Sequence, residues 1–231
     1  MHIGLIGGIG PAATVLYYQR LVAAFGAAQL PLSLTISHAS IEDLAAHAKA
    51  DDRAGQARVF ARHLAALEGA GCDIALITAL TGHFCFDETQ ALAGIAMLDG
   101  VEVIDRFCAA QGIRVLGLLG SPPVMSTHLF DRLNRVQTVV PDTGLDGIGA
   151  TYMALARSGT CRDDQRQMFL ETATRMVEVQ GAEAILLAGT DLGLAFDGHS
   201  LPFPVIDAVE VHIQSLLQEA IDRGAGGDAG T

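Results

Sequence analysis

Two segments of this chain hold most of the groups that could do chemistry, and they match one another. Ile77-Thr78-Ala79-Leu80-Thr81-Gly82-His83 and Leu187-Ala188-Gly189-Thr190-Asp191 each run from an apolar stretch into small and hydroxyl residues. Between them they offer an imidazole at His83, a carboxylate at Asp191 and hydroxyls at Thr81 and Thr190; Ser121 and His38 follow other apolar stretches. An imidazole serves as acid, base or neutral hydrogen-bond partner near neutral pH, and a lone histidine near a helix start is often simply structural. His38 carries the same two readings, since loop histidines are commonly just solvated. Asp191 suits a substrate ammonium, a base role or the cap of a helix. A helix N-terminus at Cys85 would favour a thiolate, although a buried structural thiol is the plainer reading. Hydroxyls beside the glycine turns Gly7-Gly8 and Gly120 would cradle an anionic group together with backbone N–H groups. Arg53, Arg58 and Arg162 read either as carboxylate clamps or as solvated surface.

These groups converge only if the elements that carry them do, and the chain lays down the same frame twice. Aligning Gly71-Cys72-Asp73 with Gly181-Ala182-Glu183 sets Ala79 opposite Gly189, and Gly4-Leu5-Ile6-Gly7 falls opposite Gly117-Leu118-Leu119-Gly120. The first half predicts a strand over 2–6, a helix from Pro11 to about Phe25, a strand over 32–37 leading into a polar loop that holds Lys49, an amphipathic helix over 54–69 and a strand over 72–78. The second predicts a strand over 115–119, a helix from Pro122 to about Asn134, a strand over 136–140, helices near 145–157 and 163–180, and a strand over 184–187. A closing helix over 208–223 is expected to pack back on the first half. Alternating strands and helices imply an α/β fold of two pseudo-symmetric lobes, each a parallel sheet flanked by helices. The expected division is 1–101 plus 208–223, 102–207, and a flexible glycine-rich tail over 224–231. Ligands of such sheets bind outside the carboxyl ends of the strands, where Gly7, Ala79, Gly120 and Gly189 fall, which predicts a cleft between the lobes.

Composition removes several function classes. The net charge is −12 over 231 residues, which argues against nucleic acid, whose phosphates need clustered cations. The four cysteines have no close metal spacing and suggest no disulfide framework, so no metal is expected and a reducing cytoplasm is the simpler setting. The apolar N-terminus is cut by Gly7, Gly8, Gly10 and Pro11 and reads as strand and turn. No apolar run approaches the roughly 20 residues of a membrane span. Lys49 is the one lysine, placed in a polar segment, so a pyridoxal phosphate enzyme with its Schiff-base lysine is not expected, and no cofactor is inferred. Gly8-Ile9-Gly10-Pro11-Ala12-Ala13 fits a dinucleotide fingerprint, but Ser37-His38-Ala39-Ser40 lacks the acid that would hold a ribose.

The opening Ile3-Gly4-Leu5-Ile6-Gly7-Gly8-Ile9-Gly10-Pro11-Ala12-Ala13-Thr14, the second glycine turn Gly117 to Gly120, Thr81 with His83, and Asp207 with His212 together resemble the aspartate/glutamate racemase family, in its aspartate-racemase branch. The resemblance covers nearly the whole chain. It implies a cofactor-independent isomerase of amino acid metabolism, a homodimer, that holds a small amino acid or carboxylate between two cysteines, one at each matching strand end. Here the family's Cys-Asn-Thr-x-His reads Ala79-Leu80-Thr81-Gly82-His83, and its Gly-Cys-Thr-Glu reads Ala188-Gly189-Thr190-Asp191. Racemisation needs a base on one face of the α-carbon and an acid on the other. A methyl and a hydrogen supply neither, so the two-cysteine step is expected to be absent. What the resemblance leaves is His83 and Asp191 as candidate catalytic groups and Gly7, Gly8, His38, Thr81, Gly120, Ser121 and Thr190 as candidate ligand contacts. The alternatives are a non-catalytic amino-acid or dicarboxylate-binding protein, or a Cys-to-Ala/Gly mutant of an ordinary racemase; glycine is an unusual engineered replacement, which favours natural residues.

Overall fold

The computed structural model describes residues 1–196, 198 and 200–227, with Thr190 and 225–227 described in their backbone only. The chain forms two compact units, Met1–Val103 with Val209–Thr231, and Ile104–Ala208. The first contains β1 (His2–Gly7), α1 (Pro11–Ala27), β2 (Ser33–His38), α2 (Ile41–Ala50), α3 (Arg53–Gly69), β3 (Ile74–Ile77), a 3-10 turn over Leu80–Cys85, α4 (Phe86–Gln90) and β4 (Ala96–Met97). The chain passes through α5 (Gly100–Ala110) into the second unit: β5 (Val115–Gly120), α6 (Pro122–Ser126), β6 (Gln137–Val139), α7 (Leu145–Ser158), α8 (Asp163–Glu178), β7 (Ala184–Ala188), a 3-10 turn over Thr190–Leu192, α9 (Gly193–Phe196) and β8 (Val205–Asp207). It returns to the first unit as α10 (Ala208–Gly227), which runs on into the segment expected to be a tail; residues 228–231 lie outside the described residues.

Each unit has one four-stranded, wholly parallel sheet, ordered β2-β1-β3-β4 and β6-β5-β7-β8, so the internal repeat is a repeat of topology. The central strands are buried almost end to end because helices cover both faces, which explains their unbroken apolar runs. Unit one packs Leu5, Leu21, Phe25, Phe60 and Leu64 at its core, and unit two Leu119, Met125, Phe169, Met176 and Ile185. Burial of each such side chain contributes about 1.5–3 kcal/mol. The strand starts are tied alike as well: the His2 N–H donates to Asp73 at 2.6 Å, and the Arg114 N–H donates to Glu183 at 2.6 Å.

Two expectations need correcting. The polar loop after β2 is the helix α2, and Lys49 lies exposed in its last turn. Ser40 caps that helix by accepting from the Asp43 N–H at 3.1 Å, while Glu42 and Asp43 sit at its positive end and His47 and Lys49 at its negative one. The helix expected to reach Asn134 stops at Ser126. Leu129 N–H bonds to Val124 O at 2.8 Å and His128 N–H to Met125 O at 3.1 Å, a Schellman closure with Leu129 fully buried behind it. His128, Leu129, Phe130 and Asp131 then all take positive φ, between 50° and 62°.

Candidate functional site

Strand register brings Gly7, at the end of β1, level with His38 at the end of β2, and Ile6 level with Ile77. Gly7 lacks a side chain because Thr14 fills that space, its Oγ1 2.9 Å from where a Cβ would stand. Gly8 has φ +84°, and a Cβ there would lie 2.6 Å from His38 Nδ1. The Gly8 N–H donates to Thr14 Oγ1 at 2.9 Å, so this amide, expected as part of an anion cradle, is spent within the turn. Thr78 Oγ1 donates to Ile6 O at 3.0 Å and ties the end of β3 to β1.

Ala79 follows in extended backbone, half-buried, with Thr81 half-buried in the 3-10 turn beyond it. Behind Ala79 runs a buried polar chain. The Tyr17 hydroxyl lies 2.6 Å from His212 Nδ1, and His212 Nε2 lies 3.0 Å from Gly100 O. The Gly100 N–H in turn meets His83 Nε2 at 3.2 Å, and His83 Nδ1 meets Ala79 O at 3.2 Å. Proton positions follow from the backbone partners. A carbonyl only accepts and an amide only donates, so His212 carries a hydrogen on Nε2, and His83 carries one on Nδ1 and none on Nε2. Both nitrogens of His83 are thus engaged inside the unit, and its ring, 0 % exposed, stacks on Phe86. That fits a group that holds the strand end in place better than one that meets a ligand.

Cys85 gives no substitute thiol. It is fully buried, near Gly82 O and Thr89 Oγ1 at 3.6 Å, and burial pushes it up to about 11, so it stays a thiol at neutral pH. Arg53 and Arg162 are exposed and paired with Asp51 and Asp164, and Arg58 is exposed on α3. Among the described residues no group of His, Cys, Asp and Glu is placed to hold a metal ion.

In unit two Gly120 lies opposite Ala188 in register, and a Cβ on it would sit 2.9 Å from Ala188 O. Ser121, buried, precedes α6 without capping it. Gly189 repeats the backbone of Ala79, with φ −140° and ψ 122° against −128° and 125°. Each also receives a turn bond, Gly82 N–H to Ala79 O at 2.9 Å and Leu192 N–H to Gly189 O at 3.0 Å. Thr190 lies in the turn that follows, its side chain outside the described ones. Asp191, 8 % exposed, has its carboxyl raised above the ordinary range, chiefly by burial.

The residue that sequence reasoning missed is Tyr152. It lies on α7 between Ile148 and Leu155 at helical spacing, a pattern that reads as core. Its ring does join the core, yet its hydroxyl reaches the strand end, 2.5 Å from where a Cβ on Gly189 would stand. The one available signal was a glycine in a strand end whose backbone does not require one.

The chain belongs to the Asp/Glu/hydantoin racemase family, whose model matches residues 6–216. Its fold is similar to that of an aspartate racemase homologue from Pyrococcus horikoshii, at 22% identity and TM-score 0.81, covering 95% of this chain and 98% of that one. A putative Asp/Glu racemase from Yersinia pestis is 20% identical with TM-score 0.84, over 96% of this chain and 100% of that one. The aspartate racemase of Picrophilus torridus is 20% identical with TM-score 0.72, over 95% and 94% respectively.

Proposed function

We propose that this chain binds a small amino acid or carboxylate at the carboxyl ends of its strands and does not run the two-thiol racemisation of its family. The observation that carries this reading is the equivalence of Ala79 and Gly189: the same strand-end backbone in two units of the same topology, with no ionisable group at either place. A cofactor-free proton transfer at carbon needs a positioned acid and base, and a methyl and a hydrogen provide none. The other thiols do not compensate, since Cys72, Cys85 and Cys108 are buried and Cys161 is raised by burial. What favours retained binding is the surviving polar set, Thr81, Ser121 and Asp191, at these strand ends. Cytoplasmic residence and a homodimer complete the proposal, both taken from the family; among the described residues no helix is long and apolar enough to cross a membrane.

Calorimetry with aspartate, glutamate and malate tests the reading, with Thr81→Val and Asp191→Ala as controls. Saturable binding at millimolar concentration or below, weakened in at least one variant, is the expected result. No binding of any of the three acids, or equal binding by the parent and both variants, would contradict it.

A further inference from the structure

Gly189 stands in extended backbone that any residue adopts, so its missing side chain has a steric cause and not a conformational one. A Cβ there would come within 2.5 Å of both Cζ and Oη of Tyr152, well inside contact distance. Tyr152 is in turn fixed by the unit-two core that surrounds its ring. It is only 9 % exposed, and its hydroxyl makes no hydrogen bond among the described residues. Its hydroxyl stands at the strand end, beside the place a side chain on Gly189 would take.

We propose that Tyr152 supplies the polar contact at the second strand end in place of residue 189, occupying that side chain's volume and donating a hydrogen bond from its uncharged phenol to a carboxylate oxygen of the ligand. The ligand half of this inference rests on the carboxylate-binding reading above; the steric half does not. Burial, and then the charge of Asp191, hold the phenol protonated across the physiological range, so it acts as a donor. A tyrosine here and a cysteine at 189 exclude one another, so a thiol at this strand end cannot be restored by one substitution.

Two experiments separate the halves. Tyr152→Phe keeps the ring and removes the hydroxyl. Calorimetry should show L-aspartate and L-malate binding weakened about tenfold or more, the loss of one hydrogen bond to a charged group. Unchanged affinity overturns the donor role, and absence of binding by the parent overturns it together with the function proposed above. Gly189→Ala is then compared in the parent and in a Tyr152→Ala background by thermal unfolding. The midpoint should fall in the parent and hardly move in the Tyr152→Ala background. An equal fall in both shows that Tyr152 does not occupy the residue-189 volume, whatever the ligand result.

Discussion

At the scale of residues, two buried histidines and one buried acid set the character of the strand ends. Gly100 meets both histidines, one at its N–H and the other at its C=O, and a Cβ on it would lie 2.7 Å from the His212 ring and 3.0 Å from His83 Nε2. Gly100→Ala is therefore expected to destabilise the fold by about 1–3 kcal/mol, read from urea unfolding. A loss well under that range would mean the chain yields easily. Asp191 gives a pH-dependent counterpart. Burial raises its folded pKa above the unfolded one, so between those two values the folded chain holds more protons and stability falls as pH rises. Asp191→Asn removes that penalty. Its unfolding midpoint should exceed the parent's at neutral pH and match it at about pH 3, below the ordinary carboxylate range. Of this residue-level picture, the correspondence of Ala79 with Gly189 was legible in the internal repeat, while reading them as places of thiols rested on the resemblance to the racemase family. The pairing of His83 through Gly100 was not, because it joins residues 17 positions apart that share no periodicity. Tyr152 stayed hidden because its spacing on α7 is that of a core residue.

At the scale of elements, the two glycine turns and the repeated β-α frame were readable because apolar strands buried on both faces leave unbroken runs. The departures lie where local side-chain chemistry decides. Ser40 with Glu42 and Asp43 is a helix start signal embedded in a segment polar enough to pass for a loop. The stop after Ser126 depends on Thr127, whose Oγ1 donates to Pro123 O at 2.7 Å and accepts from the Phe130 N–H at 2.9 Å. A threonine that satisfies the backbone in this way competes with helix continuation. The left-handed run that follows costs energy at every non-glycine position. Asp131 is exposed at φ 53°, so Asp131→Gly should stabilise the protein by about 0.5–1 kcal/mol in urea unfolding, after the greater unfolded-state entropy of glycine is discounted. A destabilised variant would show that Asp131 does not hold that backbone.

At the scale of the whole molecule, each unit carries its own sheet and core. The homodimer inferred from the family predicts that sedimentation equilibrium will report the mass of two chains at micromolar concentration; the mass of one would contradict it. The net charge of −12 leaves that association to apolar and local polar contacts, so added salt should not dissolve it. Whether the chain racemises is decided at the α-hydrogen. The most direct measurement incubates the purified protein with L- and D-aspartate and L- and D-glutamate in deuterium oxide and follows the α-proton signal by NMR. No loss of that signal beyond the protein-free control is expected, and solvent deuterium appearing at the α-carbon of any of the four would show that the chain still moves the α-proton.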